Sequence, residues 1–591
     1  MEVHIGMSFT PQNPLVIQSD KTVLLEVQND LYAEARDALA RFAELEKSPE
    51  YLHTYRITPL SLWNAAASGL AAEEIIAALQ QYAKYDVPSN VVIDIRDTIS
   101  RFGRLKLSKQ DEHLLLSSED AALMEEISRH KQIGPLLKER VDAHSALVDP
   151  ALRGHIKQAL IAFGFPAEDL AGYTDGAVLP FQLRAHTLTG HDFGLRPYQQ
   201  ESVDVFHAGG TARGGSGVIV LPCGAGKTIV GMGVMSALQT HTLILTPSTV
   251  AARQWIDELL DKTTLTEDQI GEYTGLSKQV RPVTISTYQI ITYRKRGTSS
   301  YPHFALFNQG NWGLIIYDEV HLLPAPVFRI TADLQARRRL GLTATLVRED
   351  RRETDVFTLI GPKKHDIPWK AMEKQGWIAE AECYEVRVPL REEDRMEYAI
   401  TSEDLKYRFA AENPRKFEML DQVIAKHPED NILIIGMYLS QLSAVAERYQ
   451  APLITGETPI VERQKLFERF RSGEVRLLVV SKVANFAIDL PDANVAIQIS
   501  GTFGSRQEEA QRLGRILRPK RNGLLAHFYS IVTRDTRDQD FAANRQMFLT
   551  EQGYRYNIIY DYELPGFHPA TLSGQVREIT PSLLEDGRAP A

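Results

Sequence analysis

The apolar run Gly217-Val-Ile-Val-Leu221 leads into Gly224-Ala-Gly-Lys-Thr228 and then into a helical pattern from Ile229 to Leu238. Strand, glycine-rich turn and helix in that order make a phosphate loop. The glycines let backbone N–H groups close around phosphate oxygens, and the helix N-terminus favours an anion. Lys227 then meets the β and γ phosphates of a nucleoside triphosphate, and Thr228 holds Mg²⁺. The strict pattern has glycine where this chain has Leu221.

Short apolar runs recur at Val218–Leu221, Thr242–Thr246, Val283–Ser286, Leu314–Tyr317 and Leu340–Thr343, separated by helical segments. Such runs predict parallel strands buried on both faces, with helices as crossovers. The pattern restarts after about Lys370, at Ile432–Ile435, Leu477–Val480, Val495–Ile499 and Leu524–Tyr529. Two α/β lobes in tandem follow. At 591 residues the chain exceeds a single core, so roughly three or four domains are expected. Ahead of the lobes, Leu15 to about Leu107 reads as a small α+β or winged-helix-like module. It has helices predicted over Leu31–Leu45, where Leu31, Ala35, Leu39, Phe42 and Leu45 share one face, over Ser61–Ser68 and over Ala71–Leu79. Residues 108–192 carry no phosphate loop or metal spacing.

Cys223 and Cys383 are the two cysteines, too few and too far apart for a disulfide framework or a cysteine zinc site. No basic-then-apolar start and no membrane-length apolar run are present, so a cytoplasmic protein without membrane contact is expected. The net charge of −10 argues against a broadly basic nucleic-acid face. The local clusters Arg294-Lys-Arg296, Arg337-Arg-Arg339 and Arg518-Pro-Lys-Arg521 read equally as solvated turns or phosphate contacts. Trp63 and Trp312 read as core or surface filler rather than as ligand sites.

Asp318 ends the run Leu314-Ile-Ile-Tyr317, which puts its carboxylate at the C-terminal end of a buried strand, where parallel sheets bind ligands. There it can hold Mg²⁺, while Glu319 orients and deprotonates an attacking water and His321 relays the γ-phosphate state to neighbouring loops. Further on, Gln511, Arg515 and Arg518 fall on one helix face, with Arg512 beside them. Arginines reaching a phosphate across a cleft are worth ~10³–10⁵ in rate.

The set of Gln199 in Leu195-Arg-Pro-Tyr-Gln199, the phosphate loop, Asp318-Glu-Val-His321, Thr343-Ala-Thr345 and the Gln511 stretch resembles a superfamily 2 helicase. Arg348-Glu-Asp350 is similar to the Arg-Glu-Asp motif of XPB-like DNA helicases. So are His53 to Trp63, Asp489 to Ser500, Phe528-Tyr-Ser-Ile-Val and Gln552-Gly-Tyr554. The resemblance runs from about residue 13 to 560 and is weakest near 108–190. It implies two tandem RecA-like lobes behind an N-terminal α+β accessory region. The divisions it implies are an XPB-type accessory domain at 1–107, a damage-recognition-like region at 108–192, a first lobe at 193–365, a second lobe at 366–560 with a DNA-gripping thumb near 391–411, and a tail at 561–591.

The same resemblance implies ATP-dependent 3′ to 5′ movement on duplex or forked DNA in excision-type repair or duplex opening, with a nuclease or another repair protein as companion. Arg196, Gln199, Gly224, Ala225, Gly226, Lys227, Thr228 and Asp489 would bind the nucleotide, Gln199 by recognising adenine. Thr343 and Thr345 would join His321 in coupling hydrolysis to strand movement, and Arg348, Glu349 and Asp350 would lie near the DNA fork. Where the family usually has a glycine and an acidic residue before Asp489, this chain has Ala484-Asn-Phe-Ala487. Two other readings remain open at this point: an RNA helicase, since Asp-Glu-x-His occurs there too, and a DNA-binding scaffold whose nucleotide only sets domain closure. Lys227→Ala is expected to abolish nucleotide hydrolysis; wild-type-like turnover would remove the phosphate-loop assignment.

Overall fold

The computed structural model describes residues 9–49, 51–211, 213–222, 224–294, 301–324, 326, 327, 331, 334, 337–344, 353–367, 369–481, 493–501 and 525–561. The phosphate loop belongs to a seven-stranded sheet built from β10 (Ser216–Val220), β11 (Thr242–Thr246), β12 (Ile270–Tyr273), β13 (Val283–Thr287), β14 (Leu314–Asp318), β15 (Arg338–Thr343) and β16 (Lys363–Asp366). Their order is β12-β13-β11-β14-β15-β10-β16, and every pairing is parallel. β11 and β13 are buried at every position, as continuous apolar or β-branched runs between two helix layers should be.

A second all-parallel sheet holds β17 (Ala381–Val388), β18 (Ile432–Gly436), β19 (Leu453–Ile454), β20 (Leu477–Ser481), β21 (Val495–Gln498), β22 (Ala526–Thr533) and β23 (Tyr556–Tyr560), in the order β19-β20-β18-β21-β22-β17-β23. The two parallel-sheet lobes are those the apolar runs predict. Five strands escape that pattern, among them β17, which interleaves charged with apolar residues. β16 is half-exposed and mostly charged, β12 is only half buried, β19 has two residues, and β23 lies at a sheet edge.

Two smaller sheets precede the lobes. The first contains β1 (Leu15–Ile17), β2 (Thr22–Glu26), β3 (Glu44–Lys47) and β4 (Leu52–Arg56), antiparallel in the order β1-β2-β4-β3. The helix predicted over Leu31–Leu45 stops at Leu39, and Leu45 instead pairs with Tyr55 in the sheet. Phe42 and Leu45 are buried, so the spacing reported burial correctly, but strand pairing overrides the helical period. Helices Pro59–Ala67 and Ala72–Tyr82 match the other two predictions closely; Thr58 caps the first in a reciprocal box with Ser61. This module packs on both lobes. Met547, from the lobe-2 helix Arg537–Glu551, joins its core, Arg555 lies 4.2 Å from the Tyr32 ring centre, and on the lobe-1 side Asn64 Oδ1 accepts the Lys363 backbone N–H at 3.0 Å.

The other small sheet consists of β5 (Leu105–Gln110), β6 (His113–Ser118), β7 (Leu137–Arg140), β8 (Ser145–Val148) and β9 (Ala167–Asp169), in the order β7-β8-β6-β5-β9. Its tie to the first lobe is ionic and aromatic. Buried Asp169 takes Arg153 at 2.7 Å and Lys157 at 3.0 Å. Tyr173 lies against both Arg153 and Arg339 (5.3 and 5.6 Å) and donates a 2.8 Å hydrogen bond to Ser216 at the start of β10. Arg339 is fully buried and donates to Leu359 O at 2.7 Å, while Arg338 pairs with Asp175. The cluster Arg337-Arg-Arg339 is therefore neither a solvated turn nor a phosphate contact; it fastens β15 to its neighbours. Trp63 and Trp312 are buried, the former packed with Ile161 and Phe357 where the two small units meet lobe 1.

Burial opposes ionisation of Asp169, but Lys157 and Arg153 hold its carboxyl well below the usual range. Asp169→Ala strands two buried cations, at an expected cost of about 3–5 kcal/mol. Amide exchange across residues 105–169 should accelerate accordingly, and unchanged protection would contradict a structural role for the pair.

Candidate nucleotide site

The sheet order sets β14, β15 and β10 side by side, so their C-terminal ends converge. Val220 faces Thr343, Asp318 faces Leu342, and Leu221 N donates to Thr343 O at 3.0 Å. The phosphate loop, the Asp318-Glu319 pair and Thr343 thereby become neighbours although more than 110 residues separate the first from the last.

Gly224 and Gly226 both adopt left-handed backbone, and Gly226 caps the helix Lys227–Leu238. A Cβ on Gly226 would lie 2.5 Å from Gln199 Nε2, so only glycine lets the loop press against that amide. Gln199 is buried and donates to Ala225 O at 3.0 Å, its Oε1 accepting from Arg196 N at 3.0 Å. Tyr198 Oη donates to the same Ala225 carbonyl at 2.8 Å. Arg196 donates to Tyr198 Oη and lies over the Trp377 ring, 4.8 Å from its centre. Gln199 thus braces the phosphate loop from behind.

Lys227 Nζ lies 3.2 Å from Glu319 Oε1. Glu319 Oε2 is 3.5 Å from His321 Nδ1, and that nitrogen shares a 2.7 Å hydrogen bond with Thr343 Oγ1. The contacts run unbroken from phosphate-loop lysine to β15. Glu319 itself has φ +49°, a conformation that costs a non-glycine residue energy and recurs at functional turns. It turns the chain abruptly off β14 so that adjacent carboxylates point to different partners.

Asp318 Oδ2 accepts a 3.0 Å hydrogen bond from the Trp255 indole N–H, and Tyr288 Oη donates to Asp318 O at 2.8 Å. Trp255 comes from the buried face of helix Thr249–Lys262 and reaches the carboxylate across Gly231, where a Cβ would lie 2.5 Å from the ring. Sequence reading misses Trp255, Tyr288 and Tyr198. The available signal was Gly231 inside a helix, a position that usually marks close packing.

The two carboxylates are shifted in opposite directions. Burial, then the Glu319 charge, raises Asp318 above the ordinary aspartate range, against the Trp255 hydrogen bond and Lys227. Burial also opposes ionisation of Glu319, but the Lys227 ammonium and His321 hold its carboxyl below the usual range. The raised carboxyl of Asp318 at the end of β14 and the Thr228 hydroxyl at the helix start are oxygen donors of the kind a hard divalent cation takes. Among the described residues no group of three or more His, Cys, Asp or Glu side chains is placed to hold a metal ion. Thr345, Arg348, Glu349, Asp350, Ala484 to Ala487, Asp489, Gln511, Arg512, Arg515 and Arg518 lie outside the described residues, as do Cys223, Arg296 and the Arg518–Arg521 cluster. No helix of the described residues is long and apolar enough to cross a membrane.

Across 94% of this chain and 98% of its own length, a DNA 3'-5' helicase XPB of Kineococcus radiotolerans is 55% identical. The chain belongs to the XPB helicase family. The same-named Mycobacterium tuberculosis protein is 56% identical over 92% of this chain and 97% of its own. The XPB subunit of the general transcription and DNA repair factor IIH from Enterocytozoon bieneusi is 33% identical over 93% of each. Domain families agree: residues 372–573 match the ERCC3/RAD25/XPB C-terminal helicase, 192–348 the type III restriction enzyme res subunit, and 15–142 a helicase conserved C-terminal domain.

Phenylalanine at 255 keeps the ring and removes the donor. Trp255→Phe should lower ATP turnover about tenfold, the scale of one hydrogen bond to a charged group, and raise the Mg²⁺ concentration needed for half-maximal rate. An unchanged Mg²⁺ titration would deny the indole its orienting role.

Proposed function

We propose that the chain is an ATP-driven DNA helicase or translocase of 3′ to 5′ polarity, acting on duplex or forked DNA in repair or duplex opening. The observation that carries this reading is the contact series Lys227–Glu319–His321–Thr343, which joins a phosphate loop to the strand leading toward Arg348-Glu-Asp350. XPB-family membership supports DNA over RNA as the track.

In this reading the nucleotide lies on the phosphate loop, with Lys227 on the β and γ phosphates and Gln199 and Arg196 toward the base. Thr228 and Asp318 would hold Mg²⁺, which would supply positive charge to the phosphate oxygens. Glu319, ionised because Lys227 and His321 hold its carboxyl low, accepts a proton from water as that water attacks the γ-phosphorus and the bond to the β–γ bridging oxygen breaks, leaving ADP and phosphate. Before ATP arrives, Lys227 is paired with Glu319; phosphate competes for the ammonium and frees the carboxylate. His321 then feels both Glu319 and Thr343, so a change at the γ-phosphate reaches β15. Arg515, Arg518 and Gln511 supply the fingers from lobe 2, and Asp489 completes the nucleotide contacts there. Thr345 continues the coupling path, and Arg348, Glu349 and Asp350 meet the fork.

The proposed division keeps 1–107 and 108–192 as accessory units, 193–365 and 366–560 as the lobes, and 561–591 as a tail. The helical hairpin at 391–411 engages DNA. A nuclease or another repair protein acts beside the chain, in the cytoplasm next to the chromosome.

Steady-state ATPase measured without nucleic acid, with duplex DNA, with single-stranded DNA and with RNA tests the reading, Glu319→Gln serving as blank. DNA should stimulate turnover and RNA should not, and the variant should lose about 10²–10⁴-fold, the usual worth of a general base. Preferential stimulation by RNA would favour an RNA helicase; indifference to every nucleic acid would favour a nucleotide-regulated scaffold.

A further inference from the structure

Two helices, Glu392–Ile400 and Glu403–Ala411, form a hairpin on lobe 2. The outer one buries nothing, and Met396 and Ile400, one turn apart, are 74% and 80% exposed. The inner one buries Tyr407, Ala410 and Ala411. Its final carbonyls do not look to water. Thr533 Oγ1 donates to Ala410 O and Gln441 Nε2 to Ala411 O, both at 2.7 Å. The helix end is thus bolted to β22 and to the start of the helix after β18.

The same fittings converge on three successive residues that follow β21. Lys416 donates to Ile499 O at 2.8 Å and pairs with Asp538 at 2.6 Å, both side chains almost wholly buried. Ser500 Oγ accepts from Met437 N at 2.9 Å and donates to Gln441 Oε1 at 2.8 Å. Gly501 is held at both backbone groups by one hydroxyl: its N–H donates to Tyr407 Oη at 3.1 Å, and Tyr407 Oη donates to its carbonyl. A side chain at 501 would collide with the buried Arg545 guanidinium, which itself pairs with Asp538. Gly501 opens the stretch that carries Gln511, Arg515 and Arg518.

We propose that Tyr407 is a positioning residue that ties the hairpin to Gly501 and so transmits DNA engagement to the arginines that drive ATP turnover. The inference rests on the helicase reading above. A shift of the inner helix by ~1 Å, a normal amplitude for switching helices, either breaks the two Tyr407 hydrogen bonds or carries Gly501 with it. Phenylalanine cannot replace the hydroxyl, because the contact needs a donor and an acceptor on one atom. The ring is separately fixed edge-on against Phe541, centroids 4.8 Å apart, so Tyr407→Phe preserves the packing.

The test combines ATP kinetics with amide hydrogen exchange on the full chain, wild type against Tyr407→Phe, with and without duplex DNA. In the variant, kcat with saturating DNA should fall about tenfold, the scale of a lost buried hydrogen-bond pair, while KM for ATP and the DNA Kd stay within about twofold. Exchange at Gly501 should quicken in the variant, and in the wild type duplex DNA should slow it. An unchanged kcat, an equal loss of DNA affinity, or Gly501 exchange indifferent to DNA in the wild type would each overturn the linkage. Wild-type turnover that ignores DNA would sink the motor reading itself, whereas a fall confined to the variant bears on the linkage alone.

Discussion

Because β10 pairs with β15 throughout its length, the phosphate loop can leave the sheet only beside Thr343. β14 on the far side of β15 then delivers Asp318 and Glu319 to the same edge. The strand order brings the backbones close enough for the Lys227, Glu319 and Trp255 side chains to meet their partners at their tips. The two helix layers keep the strands dry, which makes each short charge contact stronger than it would be in water.

That dryness divides the labour of two adjacent carboxylates. Glu319 sits against an ammonium and an imidazole and stays ionised, while burial and its like-charged neighbour raise Asp318 despite the Trp255 indole N–H and the Lys227 charge. Chain geometry permits the difference, because the left-handed turn at Glu319 sends the two side chains apart. One carboxylate is thereby suited to receive a proton and the other to receive a cation. In the proposed reading a proton acceptor and a cation ligand are made from the same residue class, one peptide bond apart.

The lobes were legible because parallel strands buried on both faces must be apolar runs, and Val283–Ser286 or Ile432–Ile435 can hardly be anything else. Lys227 was legible from the glycine-rich turn between a strand and a helix, and Asp318 and Glu319 from their place at the end of a buried run. Trp255 was not, since a tryptophan on an amphipathic helix reads as core until the glycine opposite shows what it reaches past. Gln199 also carries less in its sequence than in its place: a glutamine near a helix start does not announce that it holds a loop carbonyl. Arg337 to Arg339 misled in another way, because three arginines suggest solvent, and only burial against Tyr173 and Leu359 O shows a strand being anchored. Leu31 to Leu45 shows the limit of periodicity: a buried face can continue from helix to strand without a break in spacing.

The N-terminal module holds Met547 of one lobe within its own core and accepts a backbone N–H from β16 of the other. Among the described residues the lobes are therefore joined by this module as well as by the covalent chain, the module acting as a strut. With a strut fastened at both ends, the cleft cannot open as a free hinge. Either the strut deforms with every cycle, storing part of the nucleotide's binding energy as strain, or one fastening slips, and the weaker fastening then decides how far the lobes part.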